Sequence, residues 1–552
     1  MTSEEIIHTW DGMAAEMNSV RPRIDAVRKY FTPWRQSWQS YGNSGVTAAG
    51  ANAIKPWAPT ESVAILAAQQ LGAAFMHWLC SPNDPWLQFK PGNGNSGADT
   101  VADKWAIKLR EMLANSNFYD TAQDMLLGRV VDGTGAHVAE WDDDTDSLRF
   151  EFWPALTFGF SLRANGTVSC VIRQISYTAE QAVQKFGGKG LPKDITEAAS
   201  RSTTKTQKFA FLHCLYWRDP RKIDPKSQAA RSPRHMPVAS VHLVAKDKTI
   251  VREGGMWTMP VAVSRYARMA LTDTEESIWG ASPAMNVLAS AAALQDLSTA
   301  AIKVAKVMAD PRILVSTMHQ GPVDLRPAGV TRVDDMQQSP REWATGANLN
   351  GLEGLMQRFE NTVREGMMSR LVNQFGSVTK QMTAQEVIAK QREALIMFGS
   401  PVGRTVSEWL RPMVQAAFVL AFDAGAFGDF PDEMRDANGS TPMPQVVFSS
   451  KIMQALDEMA EAGFLSSIQD GAGLMQISPG VLNVLDINEG FRRLCRTKGV
   501  SPDIIRSREK VAEIEAQQAQ AQQQAMQQEA IAKLASNPGT IKAVSEAMGG
   551  AQ

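Results

Sequence analysis

Cysteine is scarce. Cys80, Cys170, Cys214 and Cys495 are the four in 552 residues, and none stands at the paired spacing of a zinc site or a disulfide framework. This excludes the small stapled folds and makes a reducing cytoplasm the expected compartment. An excess of either charge is also missing, since 56 Lys and Arg face 58 Asp and Glu and leave a formal net charge of -2. No global basic field therefore holds nucleic acid by counterion release. Long apolar runs are few as well. The most apolar stretch, Ala416 to Phe422, stops at Asp423, short of the roughly twenty residues a membrane span needs. Glu4 and Glu5 stand where a secretory signal would be basic. No membrane partner is expected.

What the chain does have is 44% hydrophobic residues, enough to fill the cores of two to four domains. The organising stretch runs from Ser282 to Val372, where two helical patterns flank about forty residues of strand and turn. Ser282-Pro283 is a hydroxyl cap followed by a proline that a first turn tolerates, and Asp310-Pro311 closes the pattern. In between, Val287, Ala291, Leu294, Leu297, Ala301, Val304 and Met308 step by three and four, a narrow apolar seam along a helix roughly 40 Å long. Leu352, Met356, Phe359, Val363, Met367 and Leu371 repeat the pattern on the second helix, whose other face carries Arg358, Glu360, Arg364, Glu365 and Arg370. Glu360 and Arg364 have the favourable spacing of four.

Ahead of this hairpin the chain reads as an α+β body. Glu4 to Tyr30 is an amphipathic helix ended at Thr32-Pro33, and Val63 to Trp78 is another, broken at Ser81-Pro82-Asn83-Asp84-Pro85. Helices follow at about Asp99 to Leu113 and Tyr119 to Leu127. From Gly133 the period becomes alternating, with strands at Ala136 to Trp141, Leu148 to Trp153, Thr157 to Leu162, Val168 to Ile175, Phe209 to Trp217, Val241 to Val244 and Val261 to Ala267. Thr178 to Phe186 is a short helix among them. Beyond the hairpin, Thr383-Ala-Gln-Glu386 forms a capping box. The helix it opens contains Pro401 and Pro412, each of which predicts a kink. Helices are expected at Ile452 to Ala462 and Ile504 to Glu515; the Gln-rich tract Ala516 to Ala530 reads equally as solvated tail or as ordered helix.

Chemical motifs are suggested and then fail on context. Gly92, Gly94 and Gly97 spell the dinucleotide fingerprint, but Pro91 interrupts the approach and Glu111 lies in a helix where a ribose-binding acid should end a strand. Asp142, Asp144 and Asp146 alternate like a calcium loop, yet Trp153 takes the place of the bidentate Glu; a hairpin turn is expected. His77 and Cys80 lie one helical turn apart with no third group to orient the imidazole, so core packing is expected. Gly187-Gly188-Lys189-Gly190 lacks the spacing and hydroxyl of a phosphate loop. Arg218, Arg221, Lys222, Lys226, Arg231 and Arg234 are interleaved with acids and prolines, as in a solvated loop. No enzyme activity, cofactor or metal is expected.

The order of elements resembles the portal, or head-to-tail connector, proteins of short-tailed bacteriophages. The resemblance is carried by Ile65-Leu-Ala-Ala-Gln-Gln-Leu-Gly-Ala-Ala-Phe75 and Trp86; by Asn115-Ser-Asn-Phe118 leading to Gly133-Thr-Gly135; and by Phe158-Gly-Phe-Ser-Leu-Arg163 with the turn Asn165-Gly166. It continues through Met259-Pro-Val-Ala-Val-Ser-Arg265, Trp279-Gly-Ala-Ser282 and Thr383-Ala-Gln-Glu386. The N-terminal helix and the break at Ser81 to Pro85 depart from the family pattern.

The resemblance implies an α+β portal fold: wing 1–281, first stem helix 282–310, clip 311–350, second stem helix 351–374, tunnel loop 375–383, kinked wing helix 384–430, crown 431–515, and a C-terminal barrel or tail 516–552. It further implies a dodecameric homo-oligomeric ring at one capsid vertex. Its partners would be double-stranded DNA, the terminase packaging ATPase, the major capsid protein, scaffold and tail adaptor proteins. Lys303, Lys306, Arg358, Arg364 and Lys380 become candidates to face DNA, and Ser377, Val378, Thr379 and Gln381 candidates for the tunnel loop. A head-tail adaptor or internal head protein, and a nucleotide-binding enzyme using the Gly92 to Gly97 loop, are the alternatives.

Overall fold

The computed structural model describes residues 1–35, 59–91, 96–188, 190–223, 232–270, 276–310, 399–435, 443–448, 467–468, 486–497 and 508–535. Between 312 and 372 it describes 312–317, 322–324, 330–333, 337, 339–342, 349–370 and 372. In chain order these form α1 (Ser3–Phe31), α2 (Val63–Cys80), β1 (Leu87–Lys90), α3 (Ser96–Asn115), α4 (Phe118–Asp132), β2 (Thr134–Asp142), β3 (Ser147–Pro154), β4 (Phe158–Leu162), β5 (Val168–Thr178), α5 (Ala179–Phe186) and α6 (Lys193–Ser200). Then come β6 (Lys208–Trp217), β7 (Val238–Val244), β8 (Ile250–Met256), β9 (Val261–Arg265), β10 (Ala267–Ala270), β11 (Glu276–Ala281), α7 (Pro283–Asn286), α8 (Leu288–Ala309), β12 (Ile313–Leu314), β13 (Arg341–Glu342) and α9 (Leu349–Gly366). A π-helical turn at Val406–Leu410 leads into α10 (Arg411–Asp423), and β14 (Gln445–Phe448), α11 (Ile487–Thr497) and α12 (Arg508–Ala535) follow. The mixed helix and sheet content is the expected α+β class.

The chain divides into two compact units. The first holds Met1–Leu87, Ile107–Asp429 and Ser450–Ile452. Its strands make a five-stranded antiparallel sheet in the order β4-β5-β6-β7-β8 and a three-stranded sheet β3-β2-β9. Short turns join β4 to β5 and β7 to β8, the first at Asn165-Gly166, where Gly166 has φ +80; β5 and β6 are joined through α5 and α6. In the second unit, β1 pairs with β14 and the rings of Trp105 and Phe430 meet edge to face at 5.6 Å. The Gln-rich tract lies inside α12, which selects the helical of its two readings.

Helix α1 covers both sheets. A capping box opens it, Glu5 N–H donating to Thr2 Oγ1 and Thr2 N–H to Glu5 Oε2. Ile6, Met13, Met17, Val20, Ile24, Val27 and Phe31 are buried at steps of three, four and seven, one stripe along the helix. Ile6 and Met13 pack with Cys170, Ile172, Leu212, Cys214, Ala239, Val241 and Leu243 of the larger sheet. Met17, Val20 and Ile24 join Val138, Trp153, Phe158, Phe160, Val261, Val263 and Trp279, which span both sheets. Pro22 sits within α1 without ending it. Near the far end Arg28 and Asp132 form a buried bidentate pair at 2.9 and 2.7 Å, and Arg28 Nη2 also donates to Ala155 O at 2.9 Å.

Helix α4 stops where Gly133 takes φ +83, its N–H donating to Arg129 O. A side chain there would also run into the backbone of Gly280 on β11, so this position is closed to other residues on two counts. Helix α2 has the length and apolarity of a membrane span, yet 61% of it is buried in the fold. Gly72 brings it against the backbone of Leu127 in α4. It is a core helix.

Strand β8, strand β11 and helix α6 are additions to the sequence reading. The first is the edge of its sheet and mostly half-exposed or exposed, so nothing forces its residues to alternate. The expected helix Ile452 to Ala462 and the capping box at Thr383 lie outside the described residues.

Asp132→Ala would leave the Arg28 guanidinium buried and unpaired, a change that costs about 3–5 kcal/mol. The expected outcome is a lowered urea midpoint by tryptophan fluorescence, largely regained in the Arg28→Met/Asp132→Ala double variant.

Candidate functional site

The helical hairpin begins at Ser282, whose hydroxyl accepts from Met285 N–H at 3.1 Å and donates to Val131 O at 2.7 Å. The cap is as expected; the single helix is not. The chain forms the short α7, turns at Val287 (φ -107, ψ 11) and restarts as α8. At this turn Val287 presses against Gly366 of α9 so closely that a β-carbon on Gly366 would collide with its Cγ1. Val287, Ala291, Leu294 and Ser298 on one side and Val363 and Met367 on the other are buried. The seam predicted from spacing is therefore real over the half of the hairpin next to the body.

Over the other half the seam residues Ala301, Val304, Leu352, Met356 and Phe359 are only half-buried, and apolar residues off the seam or at its far end reach solvent. Ile302, Met308, Leu314, Val315, Val330 and Leu355 are exposed, Val330 by 78% and Met308 by 55%. At the tip Ile313 pairs with Glu342 and Leu314 with Arg341, antiparallel and within one chain. Strand β13 carries two charged residues and has no apolar signal that would disclose it.

Lys303 and Lys306 are exposed on α8, and Arg358 and Arg364 on α9. Among the described residues none of the four is held in an ion pair, and Glu360 and Arg364 do not make the pair their spacing allows. The two lysines, three residues apart, share a face. Arg358 and Arg364, six apart, point roughly 120° away from each other. Lys380, Ser377, Val378, Thr379 and Gln381 lie outside the described residues.

The helical segment that follows, from residue 399, is anchored by groups that sequence reasoning missed. Arg129 of α4 is fully buried and donates to Arg265 O at 3.2 Å and Pro401 O at 2.8 Å. The rings of Phe75 and Tyr266 lie 5.4 and 5.0 Å from its guanidinium carbon, a favourable seat for a desolvated cation. Burial lowers its pKa to about 10, against the opposing pull of Tyr266 and Glu408. Glu408 accepts from the Arg265 backbone N–H and from its Nη2, both at 2.8 Å. Trp409 Nε1 donates to His137 Nδ1 at 3.1 Å, so His137 carries its proton on Nε2, 2.9 Å from Thr121 Oγ1. Burial pushes the His137 pKa down to about 3.

The π-helical turn lies at these anchors. Arg411 N–H reaches back five residues to Val406 O, and Pro412 falls in the first turn of α10. The kink expected at Pro412 thus takes the form of a widened turn, which eases the clash between a proline ring and the carbonyl four residues earlier.

Enzyme-like groups resolve into structure. Cys80 is buried, which pushes its thiol pKa up and makes it a poor nucleophile, whereas His77 is exposed and not packed in the core as expected. Asp142 to Asp146 lie at the β2–β3 hairpin, where Asp142 Oδ1 accepts from Asp144 N–H. Arg218 donates to Pro233 O and Met236 O at 2.8 Å and pairs with Glu253; Lys226 and Arg231 lie outside the described residues, as do Gly92 and Gly94. Among the described residues no cluster of three His, Cys, Asp or Glu could hold a metal.

Comparison with known proteins decides what such an arrangement belongs to. The family of bacteriophage head to tail connecting proteins matches residues 3–505. This chain belongs to that family. The connector is 24% identical over 514 residues to the portal protein of Salmonella phage epsilon15, covering 88% of this chain and 89% of that one. It is also 24% identical over 480 residues to a probable portal protein of Bordetella phage BPP-1, covering 84% and 82%. Its role is structural, at the portal between phage head and tail.

Two outcomes are expected for this connector. Gly366→Val would collide with Val287 and lower the unfolding temperature, an overpacking cost of about 1–3 kcal/mol, and Val287→Ala in the same chain would restore it. His137 has its folded pKa depressed below the unfolded value near 6.5, so the folded state takes up fewer protons and stability falls as pH drops from about 6.5 toward 3. Replacing it by Gln, measured as unfolding temperature against pH, flattens that slope.

Proposed function

We propose that the chain assembles into a closed, dodecameric ring at one capsid vertex, through which double-stranded DNA enters during packaging and leaves at ejection. The observation that carries this reading is the set of exposed apolar side chains on the far half of the hairpin, Ile302, Met308, Leu314, Val315 and Leu355. A heterologous contact repeated about an axis covers such flanks in every copy at once. In this reading 1–281 is the wing, 282–310 and 351–374 the stem, 311–350 the clip, 375–383 the tunnel loop, 384–430 the returning wing helix, 431–515 the crown and 516–552 the C-terminal barrel.

A channel of this kind works by holding DNA weakly. Each phosphate fixed by Lys or Arg adds to the cost of moving the duplex, and the chain as a whole is close to neutral. A few charges suffice, each stacked into a belt by the symmetry. Lys303, Lys306, Arg358, Arg364 and Lys380 are the candidates for these belts, with Arg358 and Arg364 on faces of α9 roughly 120° apart. The terminase packaging ATPase, the major capsid protein, scaffold and tail adaptors dock on the assembled ring, which itself performs no catalysis.

The test is native mass spectrometry of the full-length protein with negative-stain images of the same sample, alone and with scaffold. Closed rings with an axial hole are expected. A compact particle that closes into no ring under either condition overturns the reading. Lys303→Ala/Lys306→Ala rings are expected to assemble normally and to change the salt dependence of DNA retention.

A further inference from the structure

We infer that Asp296 on α8 of one copy forms an ion pair with Arg358 on α9 of the adjacent copy, and that this pair sets the height at which neighbouring stems meet. The inference rests on the ring reading above and deepens it, since it names the contact that joins one stem to the next.

The register of the hairpin supplies the first observation. Val287 and Gly366 touch where the antiparallel helices cross. Asp296 is nine residues beyond Val287, and Arg358 is eight residues before Gly366. At about 1.5 Å per residue they stand roughly 13.5 and 12 Å from the crossing, level to within about 1.5 Å. Rotation about a ring axis running along the stem preserves height, so Asp296 of every copy stands level with Arg358 of its neighbour. Arg364 lies only two residues from the crossing, about 3 Å along the axis, and Lys303 sixteen residues beyond it, about 24 Å. Neither competes for the acid.

The second observation is direction. Asp296 lies roughly 140–160° around α8 from the buried Ala291, Leu294 and Ser298, and Arg358 lies roughly 140–180° around α9 from the buried Val363 and Met367. Both side chains leave the hairpin on faces that nothing in their own chain covers. Both are exposed, and among the described residues neither makes an ion pair.

Complementarity is the third. Asp296 is the single acidic residue in α8. On its own face it is flanked by Ala289, Ala293 and Ala300 at steps of three, four and seven, small residues over which another helix can pass closely. Arg358 has the exposed Leu355 one turn before it and Thr362 one turn after. One flank is smooth with a central acid, the other apolar with a central base. A pair enclosed by such side chains is screened less than one in open water.

The experiment is charge reversal in the full-length protein: Asp296→Arg, Arg358→Glu, and the two together. Closed rings are counted in negative stain and by sedimentation, and circular dichroism follows folding, which these exposed positions leave intact. Each single variant is expected to form at least tenfold fewer rings than the unmodified protein, and the double variant to recover them. Single variants that close as readily as the unmodified protein overturn the pairing, as does a double variant no better than the singles. Rings that persist in Arg358→Glu while DNA retention changes return Arg358 to the channel wall and also overturn it. An unmodified protein that never forms rings defeats the ring reading itself, which separates the two failures.

Discussion

A buried cation holds this connector together at its centre. Arg129 has no access to water, so the dipoles and charges that replace water must come from fixed elements. The carbonyls of Arg265 and Pro401 and the rings of Phe75 and Tyr266 provide them. Glu408 adds a compensating charge through Arg265. Four stretches remote in sequence, α2, α4, β9 and the segment from residue 399, are thereby bound to one guanidinium. Among the described residues Arg129 Nη1 makes no hydrogen bond, so a shift in any of the four would add to an existing shortfall.

The first unit shows two kinds of economy. The body before Ser282 has a core of its own: α1 lies over both sheets, and Trp153, Phe158 and Trp279 interlock beneath it. The hairpin has one only where it enters that body. Toward its tip Ile302, Met308 and Leu355 are exposed, and among the described residues Lys303, Lys306, Arg358 and Arg364 make no ion pair. A monomeric domain has no use for such an arrangement, whereas a component of a symmetric junction obtains its missing core from its neighbours.

How much of this was legible in the sequence depends on how burial writes itself into it. Helix α1, strand β3 and the near half of the hairpin seam were visible because each buries one face and keeps its period, while β2 and β7, buried on both faces, were visible as apolar and β-branched runs. The Ser282 cap and the turn at Asp142 to Asp146 were visible through local hydrogen-bonding residues. Strand β8, at a sheet edge, and strand β13, composed of Arg341 and Glu342, bury too little to leave a period. Helix α2 was read as a helix, but its match to a membrane span emerged only with the fold. The break at Val287 was hidden; its close neighbour Gly366 lies far along the chain. The anchors Arg129, His137, Glu408 and Trp409 were hidden as well: a lone buried Arg or His has no spacing to betray it. The charged candidates on the stem were legible as exposed, while the difference in direction between Arg358 and Arg364 follows from helix geometry alone.

The seat formed by Arg129 and His137 also imposes an order on synthesis. Both residues, and the sheets around them, emerge from the ribosome well before Pro401, Glu408 and Trp409, which complete their bonding. Until then the half-made body holds an open berth with a guanidinium and an imidazole facing water. A chain that terminates inside the hairpin never fills it. Incomplete copies therefore carry a loosened body as well as a missing stem, and both defects weigh against their entry into an assembly where a single faulty copy would spoil the whole.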